Sequence, residues 1–256
     1  MRFLTPEQGT TTRGSMILTR ESILKAVESG CVIVDPLIPE NVKTNSVDVR
    51  ITGPFLRMKG ITPSENSFKR FGVDIGTVFP YVSQRETTSQ FEAVAPTPLK
   101  EIKDLFAGCD DVTEQADILT QAFGEDHEAW YLTPGHYLAA TVERIGATTK
   151  THRYLEDGTP IYLVPDIDSK STWGRWGLTV CVCAGRGDIG YASRWTLEVR
   201  VDTPTVIIDR TIAGQVRFTE AIGCVDSGHF YGDDKNSYQA PTEEVVEQLP
   251  KSLKII

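Results

Sequence analysis

Residues 169–198 read SKSTWGRWGLTVCVCAGRGDIGYASRWTLE, and their pattern decides the fold class. Leu178–Ala184 alternates as a half-buried strand does, Gly185-Arg-Gly-Asp-Ile-Gly190 supplies the pliable backbone of a turn, and Trp195–Val199 resumes strand character. This places Ser171, Thr172 and Arg175 at the start of one strand, Asp188 in the turn and Glu198 on the returning strand. Two strands joined in this way can gather a hydroxyl pair, a guanidinium and a carboxylate around one small pocket.

Outward from that hairpin the chain is mostly short strands and turns. Strands are predicted at 32–34, 47–51, 137–142, 162–164, 178–183, 196–201, 205–208 and 215–218. Many short strands separated by Gly, Pro and Asp favour a sandwich or barrel. Thr19 can cap a helix over about 20–29, with Ile23, Leu24 and Val27 inward and Gly30 ending it. Leu99, Ile102, Leu105 and Phe106, then Ala116, Leu119, Ala122 and Phe123, carry helical spacing, so two short helices are expected within a segment of about 60–128. Asp157-Gly158 reads as a hairpin tip. The expected organisation is an extension at 1–15, one domain at 16–245 and a tail at 246–256.

The chain has 256 residues and 40% hydrophobic content, enough for a substantial core in one or two domains. Residues 1–15 hold no apolar run of signal-peptide length, so a soluble, cytoplasmic protein is expected. Five irregularly spaced cysteines fit a reducing compartment and read as small buried hydrophobes. A net charge of −9 argues against a nucleic-acid polymer as partner, because phosphate backbones reward clustered Lys and Arg. A single polyphosphate is different: a few local cations, glycine amides and Mg²⁺ can hold it on an acidic protein. Lys170, Arg175, Arg186 and Arg194 supply such cations near the proposed pocket.

Several segments together resemble the zinc-independent dCTP deaminase family and its dUTPase-like relatives. Lys170, Ser171, Thr172, Arg175, Gly177 and Leu178 are similar to the family's arginine, hydroxyl pair and arginine-glycine-leucine run. Ala184, Asp188, Gly190 and Tyr191 match its next signature, and Glu198 falls where the deaminase branch has a glutamate. Residues 16–23, Asn45–Arg50, Leu132–Gly135, Thr141–Glu143 and Gly214–Phe218 agree in the family's order. The likeness spans about 16–60 and 128–240, which makes 60–128 look like an insertion. The fold it implies is mainly β, a distorted jelly-roll barrel with added short helices, built as a homotrimer with sites between subunits.

The implied reaction is hydrolytic removal of the cytosine 4-amino group from a deoxycytidine nucleotide, most simply dCTP to dUTP and ammonia. Zinc deaminases carry H-x-E and P-C-x-x-C motifs. This chain has neither, its Cys181-x-Cys183 lies on a predicted strand, and its four histidines are scattered, so no zinc is expected. By position the resemblance makes Glu198 the general base and acid and Arg175 its orienting cation. Ser171 would bond the water or amine, and the Ala184 backbone would fix the attacking oxygen. Lys170, Thr172, Arg186, Asp188, Gly190 and Tyr191 would bind substrate, with Asp188 on the sugar 3′-hydroxyl, Tyr191 against the sugar and Mg²⁺ among the phosphates. Tyr231, Lys235, Tyr238 and Gln239 belong to a segment, 229–241, expected to close over the nucleotide.

The chain departs from the family at both phosphate-facing segments. Lysine at 170 replaces an arginine and loses its bidentate fork, and Pro241 stands where a second glutamine is usual. Two alternatives therefore accompany the main reading: a dUTP diphosphatase or bifunctional enzyme, and a catalytically silent nucleotide-binding regulator.

Overall fold

A computed structural model describes residues 16–58, 91–105, 110–181, 185–226 and 228–231. Strand β1 is Val32–Asp35, β2 Val47–Met58, β3 Phe91–Val94, β4 Thr97–Pro98, β5 Glu128–Leu132 and β6 Gly135–Ala147. They are followed by β7 Arg153–Tyr154, β8 Pro160–Ser169, β9 Leu178–Val180, β10 Ala192–Val201, β11 Thr205–Ile208 and β12 Ile212–Ile222. The helices are α1 Arg20–Glu28, α2 Leu99–Leu105, α3 Asp110–Phe123 and α4 Ser171–Arg175. The expectation of a mainly β fold with short helices holds.

The main sheet runs β7-β8-β12-β2-β6-β10-β9, with β1 also on β6 and β3 also on β2. It curls because its long strands change partners along their length. β2 pairs with β12 through Val47–Arg50 and then with β6 from Ile51 onward. β6 gives one stretch to β2 and another, Arg144–Ala147, to β1, while β10 lines its other side. Alternation along β10 sends Trp195, Leu197, Val199 and Val201 into the core, where they join Ile51, Phe55, Leu163 and Phe218. The opposite face of β10 carries Thr196, Glu198 and Arg200.

One irregularity braces this strand pair. Thr141, Val142 and Glu143 of β6 stand opposite the single Trp195, a bulge of the kind that bends and twists a sheet. Its freed polar groups are satisfied locally: Trp195 N–H donates to the Thr141 hydroxyl (2.9 Å), which donates to the Glu143 carbonyl (2.7 Å). The buried Glu143 carboxylate accepts from Arg50 N–H (2.8 Å) and Arg50 Nε (2.6 Å). A buried carboxylate needs such partners.

The helical expectation for 60–128 is met at α2 and α3, while 59–90 lie outside the described residues. These helices cover a second sheet, β11-β5-β4, through Leu99, Ile102 and Ala129 with Leu119, Val206 and Ile208 beside them. Because β11 comes from late in the chain, the added segment is sewn into the main fold rather than hung from it. Thr19 does occupy the N-cap of α1, yet its side chain makes no cap bond; its hydroxyl donates to Ser22 Oγ (3.3 Å). Gly30 ends that helix at φ 76°, and the 157–158 hairpin tip joins β7 to β8.

Candidate active site

Two local expectations need correction. Ser171, Thr172 and Arg175 lie on the short helix α4 rather than at a strand start, and the strand that follows stops at Val180 rather than Cys183. The cause of the first is Trp173, buried at 6% exposure in the core, which pins the middle of α4. Gly177, at φ 73°, then turns the chain into β9. The strand stops because Cys181 adopts a left-handed backbone (φ 58°), which breaks the extended run. Ser171, Thr172 and Arg175 all face solvent on α4, and Trp176 beside them is 68% exposed.

Glu198 stands on β10 opposite Leu138 of β6. On its other side β9 pairs Val180 with Val199, so the next residue along, Cys181, is brought beside Glu198. Electrostatics agree: the Cys181 thiol is pushed up to about 12, first by burial, then by the charges of Glu198 and Asp168. Cys181 packs on the edge of the main core, in keeping with a hydrophobic role, while Cys183 and Ala184 lie outside the described residues.

The turn after β9 meets the C-terminal segment. Asp188 is exposed and its carbonyl accepts Tyr191 N–H (3.0 Å). Tyr191 packs edge-on against Trp195 (4.8 Å) and Tyr231 (5.0 Å), and burial, followed by the neighbouring Tyr231 and Cys181, raises its phenol above the ordinary value. Tyr231 N–H donates to the Ile189 carbonyl (3.0 Å). A side chain at Gly190, which sits at φ 97°, would come within 2.8 Å of the Tyr231 carbonyl, so the close approach requires glycine. Asp188, Gly190, Tyr191 and Tyr231 are thus one cluster, linked through Cys181 to Glu198. Lys235, Tyr238 and Gln239 lie outside the described residues.

Two of the expected phosphate cations have partners within the chain. Lys170 Nζ is 2.7 Å from Asp48, a buried acid that Lys43 also approaches at 3.7 Å. Arg186 Nε is 2.7 Å from Asp166. Arg217 likewise pairs with Asp168. No ion pair engages Arg175 among the described residues. Those residues also contain no group of three or more His, Cys, Asp or Glu able to hold a metal, and no helix long and apolar enough to cross a membrane. The sequence reading passed over Asp48 as a site-supporting residue, although it lies in the quoted Asn45–Arg50 segment; only the fold brings it to Lys170.

The geometry is therefore a hydroxyl- and guanidinium-bearing helix feeding a strand beside a carboxylate, next to a glycine turn. A dCTP deaminase-like family model matches residues 106–221, which contain all of these parts. This chain is similar to the dCTP deaminase family. Among curated proteins it resembles, a "dCTP deaminase, dUMP-forming" of Clostridium botulinum is 36% identical over 39% of this chain and 50% of its own length. One of Leptospira biflexa is 38% identical over 30% of this chain and 37% of its own. One of Methanobrevibacter smithii is 25% identical over 72% of this chain and 68% of its own. The chain thus spans half or less of the length of the more similar curated relatives it matches. A solved 2′-deoxycytidine 5′-triphosphate deaminase from Agrobacterium tumefaciens aligns at 15% identity and TM-score 0.43, covering 82% of this chain and 49% of that one.

Proposed function

We propose that this protein hydrolytically deaminates a deoxycytidine nucleotide, most simply dCTP. The observation that carries the reading is Glu198 on β10 beside β9, with Ser171 and Arg175 on the helix that leads into β9, in the order and spacing of the family's site. Glu198 takes a proton from water as the oxygen adds to C4 and passes it to N3, then carries the proton of the new C4 hydroxyl to the amine as the C4–N bond breaks and the carbonyl forms. One water and one cytosine become one uracil and one ammonia. Arg175 orients the carboxylate and offsets charge, Ser171 bonds the water or the amine, and the Ala184 backbone holds the attacking oxygen. Asp188 and Tyr191 receive the sugar, and residues 229–241 close over the phosphates with Mg²⁺. Family likeness supports a cytoplasmic homotrimer with sites between subunits, each chain contributing one domain over 16–245.

A second reading, deamination coupled to loss of pyrophosphate, is favoured by the dUMP-forming names of the relatives. Against it stand the cations: Lys170 and Arg186 are committed to Asp48 and Asp166, which weakens the grip needed on a leaving pyrophosphate. Incubation with each dNTP and dNMP, followed by chromatography with ammonia and pyrophosphate assays, separates the readings. Ammonia from dCTP with all three phosphates retained is expected. Equal yields of ammonia and pyrophosphate would establish the coupled reaction. Pyrophosphate from dUTP with no ammonia from any cytosine nucleotide would leave a diphosphatase, and nucleotide binding without any product would leave the regulator.

A further inference from the structure

Ser169, the last residue of β8, has no part in the chemistry above, yet its hydroxyl donates to the Val180 carbonyl (2.7 Å) and accepts from Val180 N–H (2.7 Å). One side-chain oxygen thus takes both backbone groups of a single residue, as a facing strand would. It does so where no backbone ladder joins β8 to β9, since β9 pairs with β10, and β8 with β7 and β12. Further along β8 ordinary pairing holds a later stretch: Ile167 N–H donates to the Gly185 carbonyl (2.6 Å) and Gly187 N–H to the Pro165 carbonyl (2.9 Å). The hydroxyl therefore fixes one end of the segment 180–185 and the ladder fixes the other. Cys181, at φ 58°, follows directly on the fixed end, and a side-chain-bearing residue persists there only when its surroundings hold it.

Two things depend on that clasp. It closes the loop 170–179, which contains all of α4 and hence Ser171 and Arg175. It also grips Val180, which pairs with Val199, the neighbour of Glu198. We propose that Ser169 is a positioning residue, whose hydroxyl sets α4 against the Glu198 strand and so controls turnover without touching the nucleotide. The inference rests on the deaminase reading for its link to turnover, and on the two hydrogen bonds for the clasp itself.

The test compares Ser169→Ala, Ser169→Thr and Ser169→Val, the last two matched in shape and differing in the hydroxyl. Ammonia release from dCTP gives kcat and KM, and hydrogen exchange of the Val180 amide reports the clasp. Because misplacing a reacting group by about 1 Å costs roughly a hundredfold, the Ala and Val variants are expected to lose about 10- to 100-fold in kcat, with KM within about threefold of wild type. Thr should restore kcat, and Val180 exchange should accelerate in Ala and Val alone. Wild-type kcat in Ser169→Ala, an equal loss in Ser169→Thr, or loss of the folded state on removing the hydroxyl would overturn the positioning role. Unchanged Val180 exchange would overturn the clasp. A wild-type protein that released no ammonia from any cytosine deoxynucleotide would instead overturn the deaminase reading.

Discussion

Removing the ammonium of Lys170 would leave Asp48, whose side chain is only 4% exposed, without its 2.7 Å partner. Breaking a fully buried pair costs about 3–5 kcal/mol; here the lysine is partly exposed and Lys43 stands 3.7 Å away, so Lys170→Met should cost roughly 1–3 kcal/mol in denaturant unfolding. Unchanged stability with a raised KM would return Lys170 to the phosphates. Cys181 offers a second check. A thiol pushed up to about 12 is neutral at pH 8, so its alkylation should run about three orders of magnitude slower than that of an ordinary cysteine. Because folding favours its protonated form, the stability it contributes is fully present below the ordinary thiol value of 9.0 and is lost as pH rises from there toward about 12. Rapid labelling of Cys181 at pH 8, measured by mass spectrometry, would contradict its burial beside Glu198.

Among the elements, those with clear periodicity were legible and those held by single contacts were not. Thr205–Ile208 has the bounds expected of it, and Ile23 and Gly30 mark α1 as their pattern predicts. α4 has only five residues, too few to show a helical period, and what pins it is the burial of Trp173, a tertiary fact. The alternation through Cys183 promised a longer strand, but the end at Val180 follows from the left-handed backbone of Cys181, which the residue pattern does not announce. At the C-terminal segment, Phe230 packs edge-on against Tyr162 (5.5 Å) and Tyr231 against Tyr191. Truncation after Gly228 removes both contacts and everything beyond, so KM for dCTP should rise strongly. Unchanged KM and kcat in the truncated protein would show that this segment has no part in the site.

At the scale of the whole molecule, the curled sheet and its bulge at Thr141–Glu143 fix β10 from both sides, with β6 on one edge and β9 on the other. The mainly β class was legible because alternation is a property of each strand alone. The partner switching of β2 was not, since it depends on which strands meet. Subunit assembly is tested by sedimentation: three chains per particle are expected, and a fully active monomer would contradict sites shared between subunits. The central claim, that Glu198 moves the protons of a cytosine deamination, is tested most directly by Glu198→Gln, which keeps the shape and removes the base. Calorimetry should show dCTP binding near wild type, while ammonia release falls by at least about a hundredfold. Ammonia release near the wild-type rate from the purified variant would contradict the account.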